Sequence, residues 1–430
     1  MIKKSVLNKK LISNISTIKE EPSWMLKNRL IAHNFFLSLA NPKWGPDLSS
    51  LNFEQCIYYK KNNKPLEKIN SKLQKLNVPI NINNNVIGIN NQYDSESICH
   101  KLQNSLEKKG VIFTSMDDAI KKYPNIVKKY FGKLVSCRDN KYSALNTAVW
   151  SGGSFLYVPK NIKLKTPLQS YFRIGTKSIG QFERTLIIIE ENSKTEYIEG
   201  CTALTNSSNN LHAAVVEIFI GKNASCKYST IQNWSSNVIN LVTKRAVVEE
   251  NGKMEWIDGN FGSKINMKYP CTILRGKNSN ARCVSIAVAR DEGIVHDTGA
   301  KMIHIGKNTK SQIISKSISC NGGNSTYRGL VKITNSASNS CSNVDCETLI
   351  IDKKSKSDTY PREIIKNNSS SIKHEAKITN FDKEKIFSLN CKGINNKVAK
   401  DLIISGFIEP FSKELPIEYA VELNRLLKEN

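Results

Sequence analysis

The sequence predicts a mainly β protein whose body is a parallel β-helix with helical regions at its N- and C-terminal ends. Three observations carry this reading. Asparagine recurs as Asn161, Asn192, Asn223, Asn251, Asn278, Asn308, Asn339 and Asn368, at separations of 31, 31, 28, 27, 30, 31 and 29 residues. Each lies in a polar turn such as Glu191-Asn192-Ser193-Lys194 and is followed by a stretch of alternating character, which is the mark of a strand. A repeat this short cannot bury its own apolar face, so it stacks on its neighbours. A propeller blade needs more strand per unit, and an antiparallel sandwich leaves the even spacing unexplained.

The elements follow in chain order. Residues 1–75 read as an N-terminal helical region, with Leu26, Leu30 and His33 at helical spacing and Pro42 ending the pattern. Residues 76–135 read as a variable segment: an Asn-rich loop over 77–91, then helices over 95–109 and 117–131. Ser115 stands as the cap of the second helix. The β-helix core is expected over 136–370. Residues 371–430 read as a C-terminal helical region, with apolar spacing over 403–427.

Within the core, position decides which side chains face inward. The fourth residue after each Asn is Lys165, Glu196, Lys227, Glu255, Arg282, Gln312, Asn343 or Ile372, and all but the last are polar. The fifth is Thr166, Tyr197, Tyr228, Trp256, Cys283, Ile313, Val344 or Lys373, mostly apolar, so odd offsets face the interior. The seventh and ninth share that parity yet are mostly not apolar. The seventh runs Leu168, Glu199, Thr230, Asp258, Ser285, Ser315, Cys346, Glu375, and the ninth Ser170, Cys201, Gln232, Asn260, Ala287, Ser317, Thr348, Lys377. Buried polar groups cost free energy unless partnered, so the file predicts a polar lane or tunnel inside the solenoid. On this count Cys346 and Glu375 are strand neighbours able to share a metal, with His374 facing the other way. Cys201 lies five repeats earlier, roughly 24 Å off at about 4.8 Å per strand. Two stations fit better than one cage.

Bulk properties narrow the function. Lys and Arg outnumber Asp and Glu by 63 to 38, giving a net charge of +25 over 430 residues. The basic residues are dispersed and not interleaved with aromatics, so no nucleic-acid partner is expected. No apolar run is long enough to span a membrane. Abundant Lys, Asn and Ile suggest AT-rich coding. Eleven cysteines, none in a CxxC pair, argue for a reducing compartment and against a zinc ribbon. Gly221-Lys222-Asn223 and Gly306-Lys307-Asn308 lack the remainder of a phosphate loop.

The phrases Ser151-Gly152-Gly153-Ser154-Phe155-Leu156-Tyr157-Val158-Pro159, Gln181-Phe182-Glu183-Arg184-Thr185 and Tyr197-Ile198-Glu199-Gly200-Cys201 resemble the SufB family of iron–sulfur cluster assembly scaffolds. So do Lys227-Tyr228-Ser229-Thr230-Ile231-Gln232-Asn233-Trp234, Tyr327-Arg328-Gly329-Leu330-Val331, Asp345-Cys346 and His374-Glu375-Ala376. The resemblance implies a right-handed parallel β-helix and a non-catalytic scaffold. Its implied partners are the ATPase SufC, which the C-terminal segment would dock, the related SufD, a cysteine desulfurase with its sulfur-transfer partner, and apo acceptor proteins. It implies a transient iron–sulfur cluster as cargo; reduced flavin is a candidate cofactor. By the same resemblance Cys201 accepts sulfane sulfur as a persulfide. Arg173, Gln232, Trp234 and Lys244 line the sulfur path, and Cys346, Glu375 and His374 form the cluster-building site. Arg173 and Lys244 are expected to lower a thiol pKa. Composition and family together suggest a plastid or apicoplast, with a bacterial cytoplasm as the alternative. Two other functions stay open: a lyase or hydrolase using Glu199, Asp258 and Glu375, or a solenoid binding module.

Overall fold

The computed structural model describes residues 6–49, 51–61, 87–203, 210–381 and 383–415. Two sheets face each other along a solenoid. The first runs through Leu168–Ile174, Lys194–Ala203, Ser225–Trp234, Lys253–Gly262, Asn280–Arg290, Lys310–Cys320, Cys341–Ile350 and Ser371–Asn380, each parallel to the next. The second includes Arg184–Ile189, Asn210–Ile220, Val238–Val248, the pairs Ile265–Lys268 with Cys271–Leu274 and Val295–Thr298 with Lys301–His304, then Asn324–Ile333 and Lys356–Ile365. This is the predicted parallel β-helix.

The periodic asparagines are its corners. Asn161, Asn192, Asn223, Asn251, Asn278, Asn308 and Asn339 all adopt left-handed φ between 54° and 64°, a conformation Asn tolerates better than other residues carrying a Cβ. Their amides stack: Asn192 Nδ2 donates to Asn161 Oδ1 at 3.0 Å, and the pattern repeats through Asn223, Asn251, Asn278 and Asn308 at 2.9–3.2 Å. The fifth-offset residues from Tyr197 to Val344 lie side by side as expected and are buried. Tyr197, Tyr228 and Trp256 pack ring to ring, tilted and then edge to face, with centroids 5.0 and 5.3 Å apart.

The end turns depart from the count. After Asn161 the register places Leu168 beside Tyr197, so this turn is two residues longer and Ser170 and Phe172 take the positions expected of Leu168 and Ser170. At the other end Asn368 is not left-handed. Ser369 N and Oγ instead bond Asn367 Oδ1, and the strand starts one residue later relative to its Asn. A shift of one residue exchanges the two faces.

The flanking regions also differ from expectation. Part of the expected Asn-rich loop, 77–86, lies outside the described residues. Its remainder enters the strand Gly88–Tyr93, which extends the first sheet beside Leu168–Ile174. The helix expected over 95–109 is instead the antiparallel strand Glu96–Leu102 and one helical turn, Asn104–Glu107. Asn90 and Asn91, read as loop, are buried with the neighbouring Gln92; Asn90 bonds Ser154 and Gln92 bonds Asp94 O. Tertiary pairing overrides local preference there. Ser115 caps Met116–Lys122 by accepting from Asp118 N, as read. Helices Lys9–Ile18, Ser23–Ser38 and Lys141–Val149 cover the second sheet through Leu211, Ile239, Leu241 and Met267. The solenoid continues past residue 370 through Ser371–Asn380. Helix Asn396–Ser412 then folds back on the outer face of the first sheet, where Ile408, Phe411 and Leu415 pack against Ile231, Ile257, Ile286 and Ile318.

Candidate functional site

Alternation aims every second residue of both sheets into the lumen. The first sheet contributes one row of Ser170, Glu199, Thr230, Asp258, Ser285, Ser315 and Cys346, and a second of Phe172, Cys201, Gln232, Asn260, Ala287, Ser317 and Thr348. The second sheet faces them with Gln181, His212, Asn240, Asn266, His296 and Ser325 in lateral register. All these polar side chains are buried.

They are knitted across the lumen, as buried polar groups must be. His212 bonds Glu183 through Nε2 and Asn240 through Nδ1, the latter at 2.6 Å. Asn240 Nδ2 donates to Gln232 Oε1 at 2.8 Å and to Asn266 Oδ1 at 2.7 Å. Lys268 Nζ donates to Gln232 Oε1 at 3.1 Å and meets Asp258 at 3.3 Å. Lys244 Nζ donates to Thr230 at 2.6 Å and Asp258 at 3.2 Å. Burial opposes ionisation of Asp258, but the two ammonium groups hold its carboxyl below the usual range. Burial lowers Lys268 to about 8. Beyond Asp258 the lane is lined by hydroxyls: Ser285 to Ser315 at 3.2 Å, Ser317 to Thr348 at 2.7 Å, Ser319 to Ser325 at 2.7 Å.

Cys201 sits at the charged end. Its Sγ is 3.7 Å from Glu199 Oε1 and it packs with Phe172, Trp234 and Val238. Trp234 lies 4.7 Å from the His212 ring, and its Nε1 has no partner. Gln232, Trp234 and Lys244 are thus brought together with Cys201. Arg173 is not, because the register sets Phe172 beside Cys201 and Arg173 beside Thr202, on the opposite face of the sheet. Its electrostatic neighbours are Tyr93 and Asp94. The expected lowering of the thiol pKa is also reversed. Burial pushes Cys201 well up, Glu199 and Glu183 add to it, and Lys244 and Lys268 only partly oppose.

Cys346 lies five strand steps from Cys201, near the end of the stack. Its lateral partner is Ala376, whereas Glu375 pairs with Asp345 on the outward face and His374 pairs with Val344 on the inward one. The expectation that Glu375 neighbours Cys346 while His374 points away is therefore inverted, by the one-residue slip at Asn368. His374 Nδ1 bonds Glu363 Oε1 at 2.7 Å. Pro361, Glu363, His374 and Ala376 line a cleft of about 370 Å³. Burial pushes the Cys346 thiol up to about 12; Tyr327 opposes the shift, and Asp345 and Glu363 add to it. Among the described residues no three His, Cys, Asp or Glu side chains are grouped to hold a metal ion.

Counting from each Asn reaches only the first strand of a turn, so Glu183, His212, Asn240, Asn266, Lys268 and His296 escaped it. The available signal was a second polar series near each turn's midpoint, visible as His212, Asn240, Asn266 and His296.

Two family models match the chain: the SufBD protein N-terminal region over residues 53–170, and the SufBD core domain of SUF system FeS cluster assembly over 172–407. The iron–sulfur cluster assembly protein SufB of Bacillus subtilis is 49% identical over 98% of this chain and 92% of its own length. Iron–sulfur cluster assembly SufBD family proteins of Staphylococcus haemolyticus and Staphylococcus epidermidis match at the same identity and coverage. The lane-bearing solenoid coincides with the core-domain match, and the chain belongs to the SufBD family of iron–sulfur cluster assembly proteins, on its SufB side.

Proposed function

We propose that this chain is a scaffold that takes sulfane sulfur onto Cys201, passes it along the lumen and assembles a cluster at the Cys346 end. The observation that carries the reading is the buried file of partnered polar side chains running from Cys201 and Gln232 to Thr348 and Cys346. A packed core of this kind is normally apolar. Gln232, Trp234 and Lys244 line the path. Arg173 stands on the opposite face of its strand from the path.

At the far end, Cys346 and His374 supply soft and borderline ligands from one face. Glu375 joins from the outward face of the last strand only when a partner chain builds on the open edge of Ser371–Asn380. Mixed thiolate, imidazole and carboxylate ligation holds iron less tightly than four cysteines, which suits cargo that must leave. SufD would complete this end, SufC would engage the region of helix Asn396–Ser412 and supply ATP hydrolysis, and a desulfurase would supply sulfur for eventual delivery to apo proteins. The relatives matched above are bacterial, which favours a bacterial cytoplasm over a plastid or apicoplast.

Anaerobic co-expression with SufC and SufD, followed by iron and acid-labile sulfide analysis, tests the reading. Both should be retained by the wild type; their absence would overturn it. A lyase or hydrolase reading is weakened by the engagement of Asp258 with two lysines.

A further inference from the structure

The groups around Cys201 assign a second residue to the sulfur-accepting step. A thiol is a weak nucleophile until its proton has gone, and Cys201 is 3% exposed, out of reach of bulk water as a base. Glu199, also buried, presents Oε1 to Sγ at 3.7 Å, while its Oε2 accepts the Tyr228 hydroxyl at 2.5 Å. The phenol pins one oxygen and leaves the other turned to the thiol. Burial and the Glu199 charge keep Tyr228 protonated, so it remains a donor.

The other carboxylates nearby are occupied. Glu183 bonds His212, and Asp258 is held by Lys244 and Lys268. Lys244 also lies 4.7 Å from the Tyr228 ring centre, and both ammonium groups favour a thiolate at Cys201. Acceptor and counter-charge are thus both in place.

We infer that Glu199 is the proton acceptor that activates Cys201 for attack on an incoming persulfide. The inference rests on the proposed sulfur-accepting role of Cys201. The thiol proton passes to Glu199 Oε1, and the thiolate attacks the terminal sulfur of a donor R–S–SH. One S–S bond forms at Cys201 and the donor's S–S bond breaks. The electron pair departs on the donor thiolate, which takes the proton from Glu199. No net oxidation occurs, since one persulfide replaces another.

The test uses the full chain with cysteine persulfide as donor, reading sulfane sulfur on the Cys201 peptide by mass spectrometry across a pH series. Glu199→Gln should slow loading about 100-fold at neutral pH, the lower end of general-base contributions, with the rate recovering as pH rises. Glu199→Asp should restore most of it. Iodoacetamide labelling of Cys201 should fall in parallel. A structural role alone would give a loss that neither pH nor Asp rescues, and that result would overturn the inference. So would wild-type loading and labelling in Glu199→Gln. A wild type that never carries sulfane sulfur on Cys201 would overturn the sulfur-accepting role itself, and the labelling arm would still report whether Glu199 governs the thiol.

Discussion

The two ends of the lane are built from different chemistry. Around Cys201 the lumen holds Glu183, Glu199, Lys244, Asp258 and Lys268, all at 4% exposure or less. Towards Cys346 the charges give way to Ser285, Ser315, Ser317 and Thr348, and the last strand of each sheet, Lys356–Ile365 and Ser371–Asn380, is largely exposed. Removing one partner of a buried ion pair leaves an uncompensated charge, so substitutions at the Cys201 end should carry the larger cost. Hydroxyls serve as either donor or acceptor, so the loss of one at the Cys346 end leaves no bare charge behind. On the proposed function, the buried end is where sulfur is taken up. The open end suits assembly and release.

Four experiments would break or sharpen this contrast. The largest effect falls on the thiols. Cys201→Ser should reduce labelled sulfane sulfur to background while Cys346→Ala loads normally but keeps no iron or sulfide after desalting; equal labelling of Cys201→Ser and wild type would refute the division. Next, Asp258→Ala leaves Lys244 and Lys268 without their carboxylate and should cost about 3–5 kcal/mol in urea unfolding. Acid comes third. Burial holds the pKa of His296 and His304 at about 4 in the folded chain, against 6.5 ordinarily. Their stabilising contribution is therefore complete above about pH 6.5 and is lost as pH falls towards 4. Each should cost about 2 kcal/mol between pH 7 and pH 5, and His296→Gln should flatten the measured dependence. Smallest is Ser315→Ala in the hydroxyl half, about 1 kcal/mol or less by thermal unfolding. A loss as large as that of Asp258→Ala would erase the distinction.

The solenoid was legible because its corners demand a residue that tolerates left-handed backbone, and Asn fills seven of them. Alternation then gave the inward face from Tyr197 to Val344. Where a turn changed its geometry the count failed: Asn368 looks like its predecessors in the sequence, yet its backbone is not left-handed, and the face of His374 and Glu375 reversed with it. Half of the lane was also hidden, since His212 and Asn240 face Gln232 from the second sheet, and no spacing along the chain reports a contact across a lumen. Arg173 illustrates the same limit, for its matched motif says nothing of which face of Leu168–Ile174 it occupies.

Helix Asn396–Ser412 holds the outer face of strands whose inner face carries the lane. Ile231 beneath the helix adjoins Gln232 in the lumen, and Ile257 adjoins Asp258. The helix and the lane thus grip opposite sides of one backbone. Adjacent residues of one strand thus carry a contact with the helix outside and a place in the lane inside.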